Sequence, residues 1–314
     1  MTATAADRRA HSFDHEAFFY RDDDEFLTGL TAFIRDGLHE DAAVVVAEPP
    51  TRIALLREAL GDDADAVAFL DMTALGKNPA RIIAAWHSYV DTIAARGRPL
   101  RGVGEPAYVG RTPVELDECK LHELLLNRAF DDGPGWRLLC PYDTTGLDGG
   151  AVAGARRTHP VVSGVGARRS SDAYDADVAD MFSAPLPPPP RDAAHLDFTM
   201  SELTAVRRAV RAVAGTAGLT PSRRDDLVVA AHELAVNSIS HGGGRGALTT
   251  WQDGAALMVQ FSDAGVVGDP LVGRRHPTMG QEGGRGVYLV NQLCDLVQLR
   301  SSAAGTVVRV TSWL

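Results

Sequence analysis

Glu233, Asn237 and His241 recur at every fourth position of one run, Ala231 to Gly244, that ends in three successive glycines. This spacing stacks a carboxylate, an amide and an imidazole along one face of a single helix, while Leu234 and Ile239 point elsewhere. The stripe reads as the wall of a site. Further along, Gly283-Gly284-Arg285-Gly286 leads into the apolar run Val287 to Val290. Glycines let backbone N–H groups come close to phosphate, and the apolar run begins a helix whose N-terminus favours anions. A chain with both features must fold so that the helix face and the glycine turn meet.

The residue types suit nucleotide chemistry. Magnesium prefers oxygen ligands and keeps several waters, so a single amide oxygen such as that of Asn237, beside substrate phosphates, can hold it. A carboxylate one turn earlier, Glu233, is placed to orient or deprotonate a nucleophile. Between that helix and the glycine turn, Phe261-Ser262-Asp263-Ala264-Gly265 brings a carboxylate into an Asp-x-Gly turn. Each piece alone has a plainer reading. A Glu and an Asn four apart are more often a solvated helix face, and Gly-x-Gly and Asp-x-Gly are common turns. His241, next to Gly242, is equally a neighbour of a helix C-cap. Their occurrence in this order, closed by a strand over Thr306 to Val310, is what points to a site.

On these residues, 193–314 resemble the ATP-binding domain shared by gyrase, Hsp90, histidine kinases and MutL, and most of all the small anti-sigma-factor serine kinases. The resemblance implies a two-layer α/β sandwich of the Bergerat (GHKL) type. It implies Glu233 as general base, Asn237 as magnesium ligand, Asp263 and Gly265 at the adenine, and Gly283, Gly284, Arg285 and Gly286 over the phosphates of ATP, with His241 nearby. The family's adenine turn has a second glycine where this chain has Val267. A β-branched residue resists positive φ and narrows the turn. The segment Val266 to Glu282, rich in Gly and Pro with little apolar periodicity, has the composition of a lid, and Arg274, Arg275 and Arg285 are the cations nearest in sequence to a γ-phosphate.

Pro185-Leu186-Pro187-Pro188-Pro189-Pro190 can neither continue a helix nor donate to a sheet ladder, and reads as a stiff spacer between two folded parts. Ahead of it, strand candidates at Val44 to Ala47, Val67 to Leu70, Leu100 to Val103 and Trp136 to Cys140 alternate with helical patterns near 24–38, 51–60, 79–96 and 113–130. Such alternation predicts a three-layer α/β domain with a mainly parallel sheet. Its polar residues past the strands, Glu48, Asp71, Glu105 and Tyr142-Asp143, stand where doubly wound sheets place ligands. His15, Tyr20, His122-Glu123, Asn127 and His159 are candidates to join them; a metal built from His15, His122 or Cys140 is the rarer use of such residues.

Over residues 11–180 this half resembles the sensory (MEDS) domain named for a methanogen and methylotroph regulator of dichloromethane use. The matching pieces are His15-Glu16-Ala17-Phe18-Phe19-Tyr20, Gly104-Glu105-Pro106, His122 to Asn127 and Cys140-Pro141-Tyr142-Asp143. The resemblance implies small-molecule sensing, with His15, Glu105, His122, Glu123, Asn127, Tyr142 and Asp143 as the ligand-site candidates. The expected organisation is a disordered N-terminus over 1–10, the sensory domain over 11–182, the linker over 183–192 and the ATPase-like domain over 193–314.

Composition narrows the remaining choices. At 314 residues, 45% hydrophobic and 23% charged, the chain is ordinary for two globular domains. No apolar run approaches the length of a membrane span, and charges interrupt the N-terminus, so a cytoplasmic protein is expected. A net charge of −10 disfavours tracking nucleic-acid phosphates. Three cysteines without Cys-x-x-Cys spacing argue against a disulfide framework and a zinc knuckle.

Two readings stay open. In the first, the C-terminal domain binds ATP and magnesium, phosphorylates a serine on an anti-sigma-factor antagonist, and sequesters a sigma factor when that antagonist is absent. In the second, the nucleotide site is vestigial and the domain is a protein-binding switch set by the sensor. Val267 favours the second, Glu233 and Asn237 the first, so whether the chain is a serine kinase is not decided here. A two-component histidine kinase is disfavoured, because only one strand and one helix fit between Pro190 and the Glu233 helix. The resemblance also implies pairing of two copies through the first strand of the C-terminal domain.

Overall fold

The computed structural model describes residues 13–278 and 284–314. The N-terminus expected to be disordered and Gly283 of the glycine turn lie outside the described residues. The chain forms two compact units, divided after Asp177.

The first unit alternates strand and helix: β1 (Phe13–Tyr20), α1 (Asp23–His39), β2 (Ala43–Glu48), α2 (Pro50–Leu60), β3 (Val67–Asp71), α3 (Ile82–Ala94), β4 (Leu100–Gly104), α4 (Pro113–Ala129), β5 (Trp136–Asp143), α5 (Gly149–Thr158), β6 (Val161–Gly164) and β7 (Ala167–Ser170). The sheet order is β3-β2-β4-β5-β1-β6-β7, parallel throughout except for the closing β6–β7 hairpin. The mainly parallel sheet anticipated from the alternation is therefore present. The sequence patterns left β1, β6 and β7 unassigned. Strand β1 is interior and buries His15 and Glu16 beside Ala17 and Phe18, so no apolar alternation marks it.

Register divides the side chains of this sheet between two faces. Because β1 and β5 pair in parallel with His15 opposite Leu138 and Tyr20 opposite Asp143, Tyr20 and Asp143 share one face and His15 and Cys140 share the other. On the first face, Phe18, Val44, Val46, Val103 and Leu139 pack against Phe26, Leu30 and Ile34 of α1 and Leu56 and Leu60 of α2. Burying each such side chain contributes roughly 1.5–3 kcal/mol. The second face meets α4. That helix opens on a capping box, with Thr112 and Glu115 reciprocally bonded and Pro113 at the first helical position.

The second unit comprises α6 (Ala179–Ser183), β8 (Ala194–Phe198), α7 (Leu203–Thr216), α8 (Pro221–His241), β9 (Gly246–Asp253), β10 (Ala256–Asp263), α9 (Arg285–Leu293), β11 (Leu296–Ser302) and β12 (Gly305–Trp313). Its antiparallel sheet runs β11-β12-β10-β9-β8, with β8 at an edge. Phe261 pairs with Leu248 on one side and Val308 on the other, forming an apolar inner face. Helix α8 buries Leu227, Ala231, Leu234 and Ala235 and packs between α7 and α9.

The outer face of this sheet is polar, and the proline run lies against it rather than standing clear as a spacer. The Arg309 guanidinium stacks 5.0 Å from the Trp251 ring centroid, donates to Gln260 Oε1 at 2.7 Å and donates to the Pro187 carbonyl at 2.6 Å. A proline carbonyl still accepts hydrogen bonds although its nitrogen cannot donate, so the run can be fastened along one edge. No described helix is long and apolar enough to cross a membrane.

Candidate functional site

In the second unit, α8, the end of β10 and the start of α9 enclose a cleft of about 260 Å³. Leu234, Phe261, Val272, Val287, Leu299 and Val308 make its apolar walls, with Asn237, His241 and Asp263 as polar members. An apolar slot with a few convergent polar groups is the usual form of a site for a flat organic ring. Asp263 is held rigidly: Oδ2 accepts from Ser238 Oγ at 2.7 Å and Oδ1 from the Gly265 N–H at 2.9 Å. Gly265 is required there, since a Cβ would come 2.4 Å from the His241 carbonyl oxygen. Thr306 donates from Oγ1 to the Gly265 carbonyl at 2.8 Å and fixes the turn from below.

The turn accommodates its valines without strain. Asp41 is the sole non-glycine with positive φ among the described residues, so Val266 and Val267 keep ordinary backbone. Val267 N–H donates to Ser301 Oγ at 2.8 Å, while the Val266 side chain is 65% exposed.

Glu233 and Asn237 stand side by side above the first turn of α9. A Cβ at Gly286 would lie 2.7 Å from Glu233 Oε2 and 3.3 Å from Asn237 Nδ2, so any larger residue there would displace the Glu233 carboxylate from its present place. Gly284 caps α9 in the left-handed region, φ 78°. The free N–H groups of that first turn and its partial positive charge favour an anion here. Among the described residues neither Glu233 nor Asn237 has a hydrogen-bond partner, although both are half-buried. That pairing of unspent donors and acceptors with a helix N-terminus fits a magnesium-bound triphosphate. His241 is exposed at the rim.

The expected lid is partly anchored. Leu271 is buried, the Gly273 carbonyl accepts from Asn291 Nδ2 at 2.9 Å, and His276 meets the Tyr288 hydroxyl at 2.9 Å. Arg285 donates to the Thr278 carbonyl at 3.0 Å, and Arg274 is buried.

The sensor candidates of the first unit separate into two clusters on opposite faces of the sheet. On one face, His15 of β1, Glu123 and Asn127 of α4, Cys140 of β5 and His159 after α5 converge. His15 Nε2 lies 3.0 Å and His159 Nε2 3.4 Å from Glu123 Oε2, and all four groups are buried. Burial, and then the neighbouring His159, push the His15 imidazole below its ordinary value. Burial alone would raise Glu123, but the neighbouring imidazoles of His15 and His159 hold its carboxyl well below the usual range. Tyr142 covers the group edge-on, its ring centroid 5.6 Å from that of His159. His122, next to Glu123 on α4, is buried but is not a member.

On the other face, at the carboxyl ends of the strands, Tyr20 donates to Glu105 Oε1 at 2.9 Å, and Arg52 of α2 lies 3.4 Å from the Tyr20 hydroxyl and 3.9 Å from Asp143 Oδ2. Glu48, wholly buried, is beside Glu105 because the ends of β2 and β4 are in register. Asp143 also caps its own turn, accepting from the Thr145 and Gly146 N–H groups at 2.9 Å. Burial, then the nearby Glu105, raise the Glu48 carboxyl well above its ordinary value of 4.5.

This arrangement predicts a pH dependence. A carboxyl whose folded pKa is raised favours the folded state fully below its unfolded pKa, and the advantage disappears as pH rises through the folded value. Denaturant titrations from acid to alkaline pH should show stability falling above about 4.5, and Glu48→Gln should flatten that fall. A variant that loses stability with pH as steeply as the parent would show that Glu48 is not the titrating group.

Sequence reasoning missed Ser238, Ser301, Thr306 and Arg52 as parts of these sites. Hydroxyls on helices and strands carry no distinguishing spacing, and Arg52 sits in an ordinary amphipathic helix.

Comparison with known proteins agrees with the two-part division. Residues 14–160 match the family described as MEDS, the methanogen/methylotroph, DcmR sensory domain, and residues 196–312 match the histidine kinase-like ATPase domain. No curated protein matches the chain. Among solved structures, it is similar to one described as the RsbU and RsbW domains of Rv1364c from Mycobacterium tuberculosis, with 19% identity and a TM-score of 0.29. The similarity covers 38% of this chain and 32% of that one, so this chain spans about a third of that chain's length.

Proposed function

From a chain built of a MEDS domain followed by a histidine kinase-like ATPase domain, we propose a cytoplasmic regulator of sigma-factor signalling. Its C-terminal domain binds ATP and transfers the γ-phosphoryl group to a serine of an anti-sigma-factor antagonist, or sequesters a sigma factor, under control of the N-terminal sensor. The observation that carries this reading is the pair Glu233 and Asn237, without a hydrogen-bond partner among the described residues and facing the first turn of α9 across Gly286.

Roles follow from position. Asp263, already oriented by Ser238 and Gly265, accepts from the adenine amino group while the apolar walls take the ring. The N–H groups at the start of α9 receive the phosphates. Glu233 takes the proton of the attacking serine hydroxyl as its oxygen bonds to the γ-phosphorus and ADP leaves. Magnesium, held by the Asn237 amide oxygen, would neutralise phosphate charge. Two copies would pair through the edge strand β8, which has β9 as its partner on one side alone.

Val266, exposed at the mouth of the cleft, favours a second reading in which the domain binds proteins without nucleotide. Calorimetric titration of the full chain with ATP and magnesium separates the two. Saturable binding supports the kinase reading, and no heat at millimolar ATP leaves the protein-binding switch.

A further inference from the structure

The cluster on the α4 side of the first sheet poses a hydrogen-bonding problem that one cation solves. Asn127 donates from Nδ2 to the Thr158 carbonyl at 2.8 Å, which turns its Oδ1, an acceptor, towards His15 Nδ1 at 2.9 Å. His15 Nδ1 must therefore carry a proton. His159 Nδ1 faces the Ala155 carbonyl, a pure acceptor, at 2.8 Å and donates to it, while the nearby Thr158 hydroxyl, 2.9 Å from Nδ1, gives its own proton to the same carbonyl. In neutral imidazoles that leaves both Nε2 atoms as lone pairs, aimed at the carboxylate oxygen of Glu123 from 3.0 and 3.4 Å. Among the described residues, Glu123 Oε1 and His159 Nε2 have no hydrogen-bond partner, and both are buried. Three acceptors thus converge, out of contact with water, on one point.

We propose that His15, Glu123, Cys140 and His159 form a closed, four-coordinate zinc site within the N-terminal domain. Tetrahedral zinc with bonds of 2.0–2.3 Å puts its nitrogen and oxygen ligands about 3.4 Å apart and sulfur about 3.6 Å from them. The measured edges are 3.0 and 3.4 Å between the imidazole nitrogens and Glu123 Oε2, and 3.5 and 3.7 Å from Cys140 Sγ to His15 Nε2 and Glu123 Oε2. All the ligand atoms fall within 4.8 Å of one another. A carboxylate and a thiolate balance the two charges of the ion, and a thiolate in a tetrahedral nitrogen and oxygen set suits zinc. When the ion enters, the Cys140 thiol releases its proton to solvent and its sulfur bonds the metal. Asn127 and the Ala155 carbonyl orient the two imidazoles as outer partners of metal ligands do. The ion would join β1, α4, β5 and the end of α5, with no open position for a water or substrate. Its role is to hold these elements together, not to perform hydrolysis.

The test uses the full-length chain. Elemental analysis should find one zinc per chain, and X-ray absorption at the zinc edge should find one sulfur at about 2.3 Å with three nitrogen or oxygen ligands at about 2.0–2.1 Å. After exchange for cobalt, the protein should show intense tetrahedral bands and a thiolate-to-cobalt charge-transfer band. Cys140→Ser should lose that band. The double variant Cys119→Ala with Cys294→Ala, which leaves Cys140 as the sole thiol, should keep it, so the assignment does not depend on Cys140→Ser folding. Wild-type protein that takes up no stoichiometric zinc or cobalt, a zinc shell without sulfur, or a charge-transfer band absent from the double variant would each overturn the site.

Discussion

Asn237→Ala is expected to remove magnesium-dependent ATP binding, weakening affinity on the order of 100-fold, about 2.8 kcal/mol at 1.4 kcal/mol per decade. The fold should survive. Asn237 lies half-buried about one turn before the end of α8, makes no hydrogen bond among the described residues, and alanine is the better helix former. Truncation therefore leaves no buried partner unpaired. Calorimetry with and without magnesium reads the effect, because nucleotide alone should bind parent and variant alike. If Asn237→Ala binds magnesium-ATP as tightly as the parent, the ion is held elsewhere.

Glu233→Gln should have the opposite profile, keeping ATP affinity within a few-fold while phosphoryl transfer to a serine substrate falls about 10²–10⁴-fold, the usual worth of a general base. The amide matches the carboxylate in size, so the close approach to Gly286 is preserved while the proton acceptor is lost. Single-turnover transfer measured beside equilibrium binding separates the two effects. Equal transfer rates in parent and variant would give the carboxylate a purely structural role.

Much of this site was legible beforehand, because its parts are local. Glu233 and Asn237 belong to one helix and need nothing but helical geometry to share a face, and Gly284 to Gly286 open the next helix wherever the chain goes. The Asp263 turn was legible for the same reason, being the end of one strand. What local pattern left undetermined was how the valines after Gly265 and the cation of the glycine turn are held. Val267 keeps the ordinary backbone expected of a β-branched residue, and the Ser301 hydroxyl takes its N–H. Arg285 donates to the Thr278 carbonyl, a partner that no spacing announces.

In the first unit the sequence by itself determined the alternation of strand and helix, and with it a mainly parallel sheet, because apolar runs and amphipathic periods are properties of adjacent residues. It also named most of the polar residues that matter. Which of them meet was a tertiary decision. His15 and Tyr20 sit in one strand an odd number of positions apart, so the pleat sends them to opposite faces, one to Glu123 and His159 and the other to Glu105 and Arg52. That separation depends on β1 being an interior strand in register with β5, from the far end of the same unit. Strand order and register are set by the joint burial of the whole sheet and the paths of its crossovers, and no local window of sequence carries that information.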